Sequence, residues 1–342
     1  MRRQYSRAAR FHHPRIIIVV RSRVAMRTDD LNKDFDIIVI GAGIAGLSAG
    51  LSAARLGRST LVLTGDVLGG HLLSIETVEG VPGYANGIAG YDLCPTVQEQ
   101  ASDAGAEFAM ESVTRLEPKD GAWSVATHAS EYTAAAVIVA TGTAFKLLDV
   151  PGETLLRGKG VSQCASCDAP LLRDKPVVVV GGGDSALQEA LTLAEHVAQV
   201  TVLHHGADLT GQRSFKERTK AHPKIEIKPN CVVLDILGDD AVAGVRVRDL
   251  VAETDSQIDA AGVFAFIGLE PKVEFTVPNL SVDAAGYIPT DTQMRTELAG
   301  LFAAGTVRAN SAGRAAAAAG EGSAAAVAAD EYLASGKWRE SD

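Results

Sequence analysis

Cysteine is scarce in this chain, four in 342 residues, which excludes the disulfide scaffold of a small secreted domain and favours working thiols in a reducing compartment, the cytoplasm. A basic excess is missing as well: 32 Lys and Arg stand against 42 Asp and Glu, for a net charge of −10. That balance argues against a nucleic-acid partner, and no stretch reads as a basic recognition face. Nor does the chain carry a second Cys-x-x-Cys or paired histidines that would complete a zinc site. What remains is a globular chain, 46% hydrophobic, long enough for about two domains and an ample core.

The basic residues are unevenly placed. Residues 1–26 hold seven arginines and no acid, and the rest of the chain carries 25 basic and 42 acidic side chains, a net −17. The apolar run Ile16 to Val20 is too short to span a bilayer or to serve as a signal-peptide core. Met26 heads a plausible start, so residues 1–33 read as a disordered extension, with an arginine-rich targeting peptide as the other reading. No membrane association is expected.

From Phe35 the chain becomes regular. Asp36 to Ile40 reads as a strand buried on both faces, as in a parallel sheet. It leads into Gly41-Ala42-Gly43-Ile44-Ala45-Gly46, then a helix with Leu47, Leu51 and Ala54 on one face and Gly57 as its stop, and then the strand Thr60 to Leu63. In this setting Gly41 makes the turn, Gly43 admits a pyrophosphate, Gly46 lets helix pack on strand, and the helix-end N–H groups face the phosphate charge. The acid expected at the end of the second strand is replaced by Thr64-Gly65, with Asp66 one step late. Further on, residues 101–114 read as a helix, Trp123 to Thr127 with Tyr132 to Ala134 as a hairpin, and Ala136 to Ala140 as a buried strand ending at Thr141-Gly142.

A second copy of this logic begins 140 residues after the first. Pro176 to Val180 leads into Gly181, Gly183 and Ala186, a helix over 187–198 and a strand over 199–203. Just ahead of it stands Cys164-Ala165-Ser166-Cys167-Asp168. Two cysteines at this spacing can close a small disulfide ring, and the arrangement lowers one thiol's pKa. A dithiol between two nucleotide units suggests electrons passing through a bound cofactor. The fold class is therefore α/β, with two Rossmann-like nucleotide-binding domains. Cys94 and Cys231 read as core residues, His204 and His205 as solvated loop residues, and the alanine-rich run 315–329 as a tightly packed helix.

Over 34–333 the chain resembles the low-molecular-weight thioredoxin reductases. The residues that carry the likeness are Gly41 to Gly46, Leu63-Thr64-Gly65 with Gly69-Gly70, Ala140 to Ala144, Cys164 to Asp168, Gly181 to Ala186, Ile267 to Pro271, Gly286-Tyr287-Ile288 and Leu301 to Gly305. The resemblance implies an FAD domain built from residues 34–148 and 271–336, with a nicotinamide domain over 149–270 that carries the cysteines and turns about hinges near 147–151 and 268–272. It implies that NADPH or NADH reduces FAD, that FAD reduces the Cys164/Cys167 pair, and that the dithiol reduces thioredoxin or another small disulfide protein, in a homodimer. Cys167 would lie nearer the flavin, Cys164 would attack the partner, and Asp168 would supply a proton.

By the same resemblance, Gly41, Gly43, Ile44, Ala45, Gly46, Thr64, Gly65, Gly70, His71, Thr141, Gly142, Gly305, Thr306, Arg314 and Ala315 would hold FAD. Gly181, Gly183, Asp184, Ser185, Ala186, His204, His205, Ile267 and Gly268 would hold the nicotinamide nucleotide. The chain departs from the family where His-Arg-Arg becomes His204-His205-Gly206, where Ala-Gly-Asp becomes Ala304-Gly305-Thr306, and where the Arg-Gln-Ala that opens the last helix appears as Gly313-Arg314-Ala315. Arg213, Lys216 and Arg218 are the cations of the loop expected after the second unit. Two other functions stand beside the reductase: a dithiol oxidase or a reductase with a non-nicotinamide donor, and a flavin-binding redox sensor.

Overall fold

The computed structural model describes residues 32–338 apart from 274 and 276. The expected extension over 1–33 falls outside the described residues, except that 32 and 33 open the first strand, four residues before the start expected at Asp36. The first half of the chain runs β1 (Asn32–Ile40), α1 (Ile44–Arg55), β2 (Thr60–Leu63), α2 (Gly90–Asp103), β3 (Glu107–Ala109), β4 (Val113–Lys119), β5 (Ala122–Thr127), β6 (Glu131–Val139) and β7 (Thr143–Phe145). β1 lies between β2 and β6, parallel to both, so both of its edges are hydrogen-bonded. Ile37 and Val39 point toward α1, and Ile38 and Ile40 point toward the antiparallel β4–β5 side, following the two-residue period of a strand.

Two readings of this half are corrected. The helix expected over 101–114 is α2, eleven residues earlier, because its buried stripe is Gly90, Leu93, Cys94 and Ala101. The chain then turns at Gly105 into β3. The hairpin strand and the buried strand expected as two elements are the single β6. Its first part pairs antiparallel with β5 and its last part pairs parallel with the strand after residue 300.

The middle of the chain runs β8 (Val161–Ser162), α3 (Ala165–Asp168), β9 (Pro176–Val180), α4 (Asp184–His196), β10 (Gln199–His204), α5 (Arg213–Ala221), β11 (Ile225–Pro229), β12 (Cys231–Leu237), β13 (Gly244–Asp249), β14 (Thr254–Asp259), β15 (Gly262–Ala265) and β16 (Leu269–Pro271). A parallel sheet in the order β11-β10-β9-β15-β8 is covered on one face by α4 through Ala186, Leu187, Ala190 and Leu193. The three antiparallel strands β12–β14 cover the other face through Val233, Ile236, Val245 and Val247. β16 then pairs antiparallel with β7, so the two strands that enter and leave this middle segment run side by side.

β17 (Leu301–Ala303) returns to the first sheet beside β6, and α6 (Ala315–Ser335) packs along α1. The small side chains of α6 are required by that approach, since a Cβ on Gly322 would collide with the carbonyl oxygen of Ala45. Cys94 and Cys231 are buried, as expected.

Candidate active site

The first glycine turn follows β1. Gly41 has φ +102°, and a Cβ there would lie 2.5 Å from the carbonyl oxygen of Ala140; a Cβ on Gly46 would strike the carbonyl oxygen of Gly41. Gly43, between them, faces open space, with nothing within 4 Å of its Cβ position. The N-terminus of α1 has no side-chain cap, so its first N–H groups are left for a ligand. Ile44 and Ala45 are buried behind the turn.

Other expected flavin contacts converge here through short links. Gly70 lies against Gly43, Gly305 against Ala45, and Gly142 against the hydroxyl of Thr306. Thr306 also meets Thr143, Oγ1 to Oγ1, at 3.3 Å. The hydroxyl of Thr141, beside Gly41, is buried without a partner, the mark of a polar atom waiting for a ligand. Thr64 is buried and donates its hydroxyl to Gly65 O at 2.9 Å. Expected to contact flavin, His71 is half-buried, bonds through Nε2 to Thr143 O and packs edge-on against Phe145. Arg314 caps the start of α6 and Ala315 opens it.

Missing from the sequence reading is the polar knot behind Gly305. Glu321 accepts the N–H of Gly305 at 2.8 Å, Nη2 of Arg308 at 3.0 Å and the hydroxyl of Ser311 at 3.1 Å. Its signal in the sequence is an acid inside an otherwise alanine-rich helix.

Cys164 and Cys167 are joined by a disulfide. Cys164 is the N-cap of the single-turn helix α3; its N–H donates to Ser162 Oγ at 3.1 Å. Cys164 is half-buried, Cys167 exposed and Asp168 half-buried. The sulfur of Cys164 lies 3.9 Å from Ser74 O, and Ser166 Oγ donates to the same oxygen at 2.8 Å. Ser74 closes the 3₁₀ turn Gly70–Ser74, whose other end touches Gly43. The cysteine pair therefore sits one helical turn from the first dinucleotide cradle.

Beneath the pair is Glu189 on α4, which sequence reasoning missed. It is buried, and Oε2 accepts the Ala165 N–H at 3.0 Å. Burial pushes its carboxyl up to about 7 against the opposing pull of that N–H, and the nearby charge of Glu76 adds to the rise. Its signal was an acid one residue from Ala190 and three from Ala186, on the apolar stripe of α4.

The second turn repeats the first. Gly181 has φ +137° and would collide with Phe266 O if it bore a Cβ, while Gly183 is open except for Thr210 Oγ1 at 3.9 Å. Ala186 takes the third position and is fully buried. Ser185 is exposed. Asp184 accepts the N–H of Gln212 at 2.6 Å and pairs with Arg314, linking α4 to α6. Ile267 and the glycine Gly268 follow β15 beside this turn.

Here two expectations change. His204 is not solvated: its ring is buried over Gly182, with Nε2 bonded to Asp208 O at 2.8 Å, and only His205 is exposed. Arg213, Lys216 and Arg218 lie on helix α5 rather than on a loop; Arg213 pairs with Glu217 and Arg218 with Glu79, each at 2.6 Å.

The pyridine nucleotide-disulphide oxidoreductase family profile matches residues 35–322. A thioredoxin reductase of Treponema pallidum is 39% identical over 303 residues, covering 89% of this chain and 98% of the relative. Another, of Mycolicibacterium smegmatis, is 39% identical over 300 residues, covering 87% and 96%. Among solved structures, Lactococcus lactis thioredoxin reductase in its FR conformation aligns with a TM-score of 0.85 at 33% identity, over 88% of this chain and 99% of that one. The family works with FAD and NAD(P)H. Two glycine cradles with open middle glycines, one of them flanked by the orphaned hydroxyl of Thr141, fit two dinucleotides. The chain belongs to the pyridine nucleotide-disulphide oxidoreductases.

Proposed function

We propose that this protein is a thioredoxin reductase: it takes two electrons from a nicotinamide nucleotide through FAD to the Cys164–Cys167 disulfide and passes them to thioredoxin or a similar small disulfide protein. One observation carries the reading. The disulfide rests on Ser74 O, at the end of the turn whose start touches Gly43, so the sulfurs lie within reach of a ring held over the first cradle. When bound, FAD would supply two-electron transfer between hydride and sulfur.

The chain's own residues then divide the work. Gly41, Gly43 and Gly46 with the start of α1 hold a pyrophosphate, and Gly142, Thr143, Gly305 and Thr306 line the way toward the sulfurs. Two electrons and two protons convert the disulfide to two thiols. Cys167 would be the sulfur that takes electrons from a bound flavin, and Asp168 would deliver the proton to it. Cys164 attacks the partner's disulfide; the mixed disulfide is resolved by Cys167, which restores the ring and releases the partner as a dithiol. Residues 34–148 with 271–336 form the flavin domain, residues 149–270 the nicotinamide domain, and β7 with β16 the double strand about which the second turns. The protein acts as a homodimer in the cytoplasm, without nucleic acid or membrane; among the described residues no helix is long and apolar enough to cross a membrane.

Anaerobic mixing of the yellow protein with NAD(P)H, then with oxidised thioredoxin, tests the scheme. Bleaching of the flavin, followed by one thioredoxin dithiol per pair of electrons, is expected. Undiminished thioredoxin reduction by a protein lacking both Cys164 and Cys167 would overturn it.

A further inference from the structure

We infer that the second cradle selects a dinucleotide whose adenosine ribose carries a free 2′-hydroxyl, NADH rather than NADPH. The inference deepens the proposed function and rests on it. In a Rossmann-type unit the end of the strand after the glycine-turn helix meets the adenosine ribose, and an arginine there accommodates a 2′-phosphate. In this protein that end is unambiguous. β10 runs parallel beside β9, Leu203 opposite Val180, and the ring of His204 lies on Gly182.

No lysine or arginine follows this strand end before Arg213. His204 is buried, its Nε2–H is donated to Asp208 O, and its other ring nitrogen, Nδ1, lies over Gly182. Next come exposed His205, then Gly206, Ala207, Asp208, Leu209 and Thr210, a segment whose one formal charge is the carboxylate of Asp208.

The guanidinium groups nearby are already paired with carboxylates. Arg213 pairs with Glu217, Arg218 with Glu79 and Arg314 with Asp184, and on the adjoining strand Lys228 pairs with Glu226. A phosphate dianion is bound well by a guanidinium fork and poorly without one. At this edge it would meet the carboxylate of Asp208. A ribose hydroxyl suffers no such repulsion, and the discrimination comes from that penalty.

Calorimetric titration of the FAD-loaded protein with NAD⁺ and NADP⁺ at one fixed ionic strength tests this without turnover. The dissociation constant for NAD⁺ is expected to be at least tenfold smaller. Equal affinities, a preference for NADP⁺, or no binding of either would overturn the inference. The double variant His205→Arg/Thr210→Arg, at two exposed positions, one packed beside His204 and one facing Gly183, should move the ratio at least tenfold toward NADP⁺; an unmoved ratio would place the ribose elsewhere. Failure of the thioredoxin reading is separately visible. Protein reduced with dithionite and freed of excess should still pass electrons to thioredoxin whichever nucleotide binds. If it does not, that reading fails while the nucleotide preference stands.

Discussion

The carboxylate of Glu189 accepts the backbone N–H of Ala165, the residue directly after the first redox cysteine, at 3.0 Å. Burial raises this carboxyl to about 7, well above an ordinary glutamate. In the unfolded chain the group loses its proton near pH 4.5, so between there and pH 7 the native state holds a proton that the unfolded state has released. Native stability therefore falls as pH rises through that window, by roughly 3 kcal/mol once both states are ionised. Glu189→Gln keeps an oxygen for the Ala165 N–H and removes the titration. Urea midpoints between pH 5 and 8 should fall more steeply for the parent than for this variant; parallel curves would sink the assignment.

The pair itself yields a sharper expectation. Cys167→Ser leaves the cradle at Gly43 untouched, so the protein should remain yellow and its flavin should still bleach with nicotinamide nucleotide. Turnover with thioredoxin should fall by about a thousandfold or more, because no ring disulfide can form or be split. Persistent turnover, read from thioredoxin thiols released per minute, would remove Cys167 from the electron path.

The two glycine turns and the cysteine pair were legible because each depends on residue types that few other environments demand: a missing Cβ, or a sulfur at fixed spacing. Contacts made across the fold were not. Ser74 supports the disulfide through a backbone carbonyl, which every residue has, so nothing in the side chain announced it. His204 looked solvated because it ends a strand, yet Gly182 leaves room for its ring and buries it. The helix placed over 101–114 followed local composition, whereas α2 is set by Leu93, Cys94 and Ala101 packing against the rest of the fold.

Gly43 and Gly46 separate ligand binding from folding. A Cβ on Gly46 would strike Gly41 O, so Gly46→Ala must move backbone and should yield little folded protein. A Cβ on Gly43 meets nothing within 4 Å in the fold itself, but it projects into the space a pyrophosphate would fill. Gly43→Ala should fold with a melting temperature within a few degrees of the flavin-free parent and purify with a flavin-to-protein absorbance ratio at least fivefold lower. A fully yellow Gly43→Ala protein would show that the cradle lies elsewhere.

The strongest stability test lies in the knot behind Gly305. Arg308 and Glu321 pair at 3.0 Å with side chains only 15% and 10% exposed, and the same carboxylate also holds the N–H of Gly305. Removing one member of such a pair strands the other charge in a poorly solvated place, at a cost of roughly 3 kcal/mol or more. Arg308→Met should therefore lower the urea midpoint sharply, and with it the flavin content, because Gly305 sits against Ala45 at the cradle. Arg308→Met combined with Glu321→Thr removes both charges, so the double variant should be more stable than the Arg308→Met single. If the two losses simply add, the pair is not coupled, and Glu321 holds Gly305 without help from Arg308.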